Sequence, residues 1–227
     1  MLTADAVRAV NDARGLFSQG RLAEAKRACE RVLVAAADQP DALYGLGLIG
    51  ARERRFADAA GYFRRVLAQA PDEVPVLIEL GIALLNDDRA AEALEPLGRA
   101  VRLDSANAAA HFNLGNALLG VGRPGEAVRH FRIVIAVEGD RPPVLINLAT
   151  ALLGADLPEE ALAACDRATA VGGSTAQSEL VRGGALRAAG RSEEAASAYR
   201  AALALDPALA AARSGLADLT ALAALRR

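Results

Sequence analysis

Few side chains in this sequence are equipped for bond-making chemistry. The only histidines, His111 and His130, stand 19 residues apart, and neither belongs to a spacing that metal ligation uses. The only cysteines are Cys29 and Cys165. No P-loop, no zinc motif and no grouping of Ser, His and Asp accompanies them. One stretch, Gly45-Leu46-Gly47-Leu48-Ile49-Gly50, spells G-x-G-x-x-G. That pattern cradles a dinucleotide only where a strand passes into a helix N-terminus. No strand pattern precedes it, so these glycines are expected inside a helix, each lowering helix stability by up to about 1 kcal/mol relative to Ala. The residues therefore predict no catalytic group, no cofactor and no metal site.

Composition narrows the rest. The 227 residues are 53% hydrophobic but only 4% aromatic, with 55 Ala, 33 Leu and no Trp. A pleated face is filled by Val, Ile, Thr and aromatics, whereas Ala and Leu favour helix, so an all-β fold is excluded. Length alone allows one or two domains. A net charge of −2 offers no electrostatic footprint for nucleic acid or an anionic membrane. The opening residues lack a basic stretch followed by an apolar core, so no signal peptide is expected. The longest uncharged run, Ser105 to Gly122, holds three Asn and a His and makes a poor membrane span. A cytoplasmic chain is expected, with both cysteines as buried free thiols in a reducing compartment.

The elements that position these residues repeat without a slip. Glu24-Ala25, Asp58-Ala59, Glu92-Ala93, Glu126-Ala127, Glu160-Ala161 and Glu194-Ala195 recur every 34 residues. Twelve residues before each Ala lies a small residue: Ala13, Gly47, Gly81, Gly115, Ala149 and Gly183. Apolar residues recur at spacings of three and four, as in Leu114 and Leu118 or Val128, Phe131 and Ile135, which marks two helices per copy. The small residues let those helices approach closely. Gly20, Asp88, Gly122, Asp156 and Gly190 fall between them, where a left-handed backbone is expected. Pro124 and Pro158 open second helices, where the missing N–H costs nothing. Pro96 falls inside one and is expected to kink it.

The period and these positions resemble the tetratricopeptide repeat family. Six units follow, at 6–39, 40–73, 74–107, 108–141, 142–175 and 176–209, with residues 210–227 as a capping or seventh first-type helix. The fourth unit, Asn113 through Phe131, follows the family pattern most closely. The aromatic expected early in each first helix is replaced by Ala9, Leu43, Leu77, His111, Leu145 and Glu179, and the terminal Pro persists only as Pro71 and Pro207. The resemblance implies an all-α fold, a right-handed superhelical α-solenoid of helix hairpins. It also implies that first helices line a concave groove that takes a peptide or protein partner.

Walking that implied face gives Asn11 and Arg14; Tyr44, Leu48 and Arg52; Ile78 and Ile82; Phe112, Asn113 and Asn116; and Ile146, Asn147 and Thr150. An apolar strip with amides suits a peptide whose backbone pairs with the Asn side chains. Tyr44 and Phe112 are its most informative members. The alternative role for Tyr44, Ile78, Phe112 and Ile146 is packing between adjacent units. Asn11, Asn113 and Asn147 share one repeat position, which resembles the asparagine ladder of repeat arrays in protein O-glycosyltransferases. A second reading is therefore a substrate-recruiting N-terminal module of a larger bacterial enzyme, a flagellin-type glycosyltransferase or a sulfotransferase, as the unpartnered last helix suggests. A third is a self-assembling scaffold, with Leu216, Leu219, Leu222 and Leu225 forming a homodimer contact.

Overall fold

The computed structural model describes the backbone of residues 4–225 and the side chains of residues 8–221. The described residues form thirteen α-helices and no strand. First-type helices are α1 (Ala4–Ser18), α3 (Pro40–Arg52), α5 (Val74–Asn86), α7 (Ala108–Gly120), α9 (Pro142–Gly154), α11 (Ala176–Ala188) and α13 (Ala210–Leu225). Between them lie α2 (Leu22–Ala35), α4 (Phe56–Leu67), α6 (Ala90–Leu103), α8 (Pro124–Glu138), α10 (Pro158–Gly172) and α12 (Ser192–Leu205). Second helices begin every 34 residues, and so do first helices from α3 onward. The phase of the sequence pattern is thus the phase of the helices. The Gly45 to Gly50 stretch lies inside α3.

The helices form two compact units, residues 1–117 and 118–227. Within each, a first helix packs on the second helix of its own hairpin and on the second helix of the preceding one. First helices also touch their counterparts in the next hairpin, α1 with α3 and α3 with α5 in one unit, α9 with α11 and α11 with α13 in the other. No such contact joins second helices to one another among the described residues. The first helices therefore occupy the tighter side of each unit.

Close approach within the hairpins depends on matched volumes. A Cβ at Gly47 would stand 2.4 Å from the Phe63 ring, one at Gly81 would stand 2.4 Å from Leu97, and one at Gly183 would stand 2.6 Å from Tyr199. Phe63 and Leu97 are fully buried and Tyr199 nearly so. At the two hairpins where the small residue is Ala, Ala13 and Ala149, the residue at this second-helix position is Cys29 or Cys165. A methyl on the first helix is thus matched by a smaller side chain on the second, and glycine by a bulky one. Both cysteines are buried and free, and burial pushes each thiol up to about 11. Tyr199 is enclosed a second time by α13, because a Cβ at Gly215 would also fall 2.6 Å from its ring.

The turn inside each hairpin is equally regular. Gly20, Arg54, Asp88, Gly122, Asp156 and Gly190 all adopt φ between 58° and 76°. Arg54 takes this conformation without the usual Gly, Asn or Asp. One residue of each turn reaches back: the amides of Arg21, Arg55, Arg89, Arg123, Leu157 and Arg191 donate to carbonyls of the preceding helix at 2.8–2.9 Å, closing the helix end in the Schellman manner. The arginine among these residues then clasps the acid at the third position of the next helix. Arg123 donates through Nε and Nη2 to Glu126 at 2.7 and 2.8 Å, and Arg21 and Arg191 repeat the geometry on Glu24 and Glu194. Where Leu157 replaces the arginine, Glu160 accepts instead from Arg132 at 2.6 Å.

Pro96 is buried inside α6, which runs from Ala90 to Leu103 as one helix. His111 and Glu179, which stand where the family carries an aromatic, are buried polar groups with partners. The His111 ring nitrogen Nε2 lies 3.2 Å from the Ser105 carbonyl oxygen, and Glu179 accepts from Ser174 Oγ at 2.5 Å.

Candidate functional site

On the first-helix side of residues 1–117, α1 and α3 leave a depression of about 430 Å³, measured to its open mouth. Helical spacing builds it. Val10, Arg14 and Phe17 succeed one another by three and four residues on α1 and therefore share a face, as do Tyr44, Leu48 and Arg52 on α3. Val10, Phe17, Tyr44, Leu48 and Ile49 line the walls, and Cys29 of α2 contributes to the floor. Arg14 and Asp41 stand at the rim. A wider depression of about 730 Å³ shares Arg14, Asp41 and Tyr44 with the first and extends to Val66, Glu73 and Val76.

Polar groups around the cleft are unevenly engaged. Asp41 accepts from Gln39 Nε2 at 3.0 Å and lies 3.7 Å from Arg14, too long for a hydrogen bond. That pair is exposed, so it contributes little to stability. Arg52 stands with its guanidinium carbon 5.1 Å from the centroid of Phe17, a cation–π contact. Tyr44 leans on Phe63 with ring centroids 5.8 Å apart and planes tilted by 54°. Its hydroxyl is held above the ordinary phenol range, first by burial and then by the charge of Glu79. Burial likewise raises the Glu79 carboxyl.

The structure distributes the sequence-predicted residues unequally. Arg14, Tyr44, Leu48 and Arg52 come together at this cleft and its margin. Asn11 is exposed on α1, and Ile82, Phe112, Asn113 and Asn116 are exposed or half-buried within the same unit. Ile78 is buried, packed with Leu77, Ala100 and Ala110, so it serves the core and not a ligand face. Ile146, Asn147 and Thr150 belong to the other unit, half-buried or exposed on α9. Some of the polar capacity expected for a ligand is already used. Asn113 Nδ2 donates to the Ala109 carbonyl at 2.9 Å, and Thr150 Oγ1 donates to that of Ile146 at 2.9 Å. On α13, Leu219 is buried and Leu216 half-buried; the side chains of Leu222 and Leu225 lie outside the described residues.

Phe17, Cys29 and Asp41 belong to the cleft but were not singled out from sequence. Phe17 carried a signal, since it lies three residues beyond Arg14. Cys29 did not, because its place follows from the small residue opposite it. Among the described residues, no group of three or more His, Cys, Asp or Glu could hold a metal, and no helix is long and apolar enough to cross a membrane.

Comparison with known proteins agrees with this architecture. The chain superposes on YrrB, described as a TPR protein with an unusual peptide-binding site, with a TM-score of 0.70 and 24% identity over 77% of this chain and 90% of that one. PilF of Pseudomonas aeruginosa gives a TM-score of 0.74 with 22% identity, over 94% and 97% of the two chains. MamA from Desulfovibrio magneticus gives 0.71 with 19% identity, over 75% and 97%. These likenesses concern the fold. No curated protein matches the sequence. The tetratricopeptide repeat pattern itself matches residues 11–74, 78–141, 114–179 and 146–210. With the 34-residue phase, the paired helices and these matches in agreement, the chain belongs to the tetratricopeptide repeat family.

Proposed function

We propose that the protein is a non-enzymatic interaction scaffold that holds a peptide or a segment of a partner protein on its first-helix side, chiefly within residues 1–117. The observation that carries this reading is the cleft between α1 and α3. Its walls are apolar, its rim carries a few oriented polar groups, and such a combination fixes a ligand by area and orients it by hydrogen bonds. The half-buried Tyr44 adds a rigid amphipathic anchor of the type that dominates interface energies. A net charge of −2 gives nucleic acid no electrostatic attraction.

The test is selection of a random peptide library on the immobilised 227-residue chain, run in parallel on a Tyr44→Ala, Leu48→Ala variant whose folding is verified by thermal melting. Enrichment on the wild-type chain that drops at least about tenfold on the variant is expected, a tenfold loss being about 1.4 kcal/mol. No enrichment, or equal enrichment on both, contradicts the reading.

A further inference from the structure

The depth of the cleft turns on one position. We infer, resting on the peptide-binding reading above, that Gly45 is the specificity-determining residue: by leaving the space beside Cys29 open, it selects a partner segment that inserts one bulky, uncharged apolar side chain between Phe17, Tyr44 and Leu48.

Gly45 is costly where it stands. It lies inside α3, where glycine weakens a helix, and the residues at the same repeat position elsewhere are Asn11, Glu79, Asn113, Asn147 and Val181. Close packing demands Gly47, whose Cβ would meet the Phe63 ring at 2.4 Å, whereas a Cβ at Gly45 would meet only Cys29 Sγ, at 3.0 Å. Nor does the thiol demand it. Cys165 holds the position of Cys29 in the other unit, and there the residue equivalent to Gly45 is Val181, which is buried.

The volume missing at this position is the depression itself. Sixteen residues before Gly45, Glu79, Asn113, Asn147 and Val181 stand Cys29, Phe63, Leu97, Phe131 and Cys165. Gly45 with Cys29 is the one pairing in which neither member is large. Both line the depression, with Val10, Phe17, Tyr44 and Leu48 around them. Charge disfavours an ionic occupant. The two charged residues of the lining, Arg14 and Asp41, are opposite in sign and face each other at the rim, 3.7 Å apart. Glu73 stands on the adjoining depression, and the charge of Glu79 reaches Tyr44. A charged side chain carried past them to the apolar floor would be desolvated without a partner. An apolar one removes its own surface and that of the walls from water.

The test compares Gly45→Val, which places the Val181 side chain at this position, with Gly61→Val, the same change at an exposed glycine of α4 whose Cβ would meet nothing within 4 Å. Melting curves verify that each folds. Random-library peptides selected on the wild-type 227-residue chain are expected to share one Leu, Ile, Met or Phe. One such peptide, made synthetically, is expected to bind Gly61→Val as it binds wild type, and Gly45→Val at least about tenfold more weakly. Replacing its shared residue by Ala should cost a similar factor on wild type but less than about twofold on Gly45→Val, where that contact is already lost. Wild-type affinity for Gly45→Val, or binders without a shared apolar residue, would overturn the inference and leave a groove that holds its partner elsewhere. No binders at all would overturn both. If Gly45→Val does not melt cooperatively, Cys29 decides. In a Cys165→Ala background the peptide is expected to slow modification of Cys29 by a small disulfide reagent, and unchanged labelling under saturating peptide overturns the inference.

Discussion

Residues 1–117 and 118–227 follow one repeat pattern yet present different surfaces. The first unit holds Phe17, Tyr44 and Phe112 on first helices, each partly exposed, with Arg52 over Phe17 and Arg14 in the lining that Phe17 and Tyr44 share. The second holds two aromatics, Phe131 and Tyr199, both buried on second helices. Its first-helix position equivalent to Tyr44 is Ile146, and that equivalent to Leu48 is Thr150, whose hydroxyl is bound to its own helix. A depression of about 520 Å³ in it is lined by Arg132 and Arg167, and both are already ion-paired, with Glu160 and Asp140. The period constrains the residues that set helix spacing, whereas the exposed face drifts freely from one copy to the next. On the proposed function, recognition is written where the copies differ.

Substitutions in the shared core should affect both units alike, and they carry the largest expected effect. Phe63→Ala in the first unit is expected to cost about 3–5 kcal/mol, with Tyr199→Ala in the second comparable, measured by urea unfolding. A substantially smaller cost for either would mean that the matched-volume core does not operate in that unit. Next is the small residue opposite. Gly47→Ala, whose Cβ would fall 2.4 Å from Phe63, should destabilise by about 1–3 kcal/mol through overpacking. Adding Phe63→Cys reproduces the Ala13 and Cys29 combination, so the double variant should be more stable than the sum of its single changes predicts. Strict additivity would break the volume argument.

Thiol chemistry gives a graded check on the same point. Cys29 and Cys165 sit at equivalent core positions with their thiols raised by burial to about 11. Both should resist a thiol reagent at pH 8 in the native protein and react promptly in denaturant. Rapid native labelling of Cys165 would show that its hairpin is looser than described.

The smallest effect belongs to the arginine clasps. Hydrogen bonds from Arg21, Arg89, Arg123 and Arg191 hold Glu24, Glu92, Glu126 and Glu194 below the usual carboxylate range. Because the folded-state value is depressed, this stabilisation is present above the unfolded-state value near 4.5 and is lost as pH falls through the folded one. All four pairs are exposed, so Arg123→Gln should flatten the acid limb of the stability profile only slightly. A large loss at neutral pH would mean that the clasp does more than close a turn.

Much of the scaffold was legible in the sequence because period and residue size are themselves sequence properties. The spacing of Gly47, Gly81 and Gly183 announced close contact, and Gly20, Asp88 and Gly190 announced left-handed turns. Arg54 was not foreseen in such a turn, since residue type argued against it while the repeat position argued for it. The Arg-x-x-Glu clasp stands at four of the six second helices, but the Glu-Ala step within it carries the more conspicuous repeat. The site was less legible. Arg14, Tyr44, Leu48 and Arg52 could be placed on one side by helical phase, but Ile78, in the same phase, is covered by Leu77, Ala100 and Ala110. Phase tells which way a side chain faces; only packing tells whether something lies over it.

Tyr44 and Ile146 occupy the same repeat position in the two units, which makes them the sharpest pair for testing where recognition resides. The decisive measurement is the Kd of one library-selected peptide for the wild-type chain, Tyr44→Ala and Ile146→Ala, each confirmed folded by its melting curve. Loss of a central aromatic anchor is expected to weaken binding at least about tenfold for Tyr44→Ala, with a change of less than about twofold for Ile146→Ala, within the roughly 0.4 kcal/mol that such a ratio represents. Equal losses for the two variants, or a larger loss for Ile146→Ala, would contradict the assignment of recognition to the first unit.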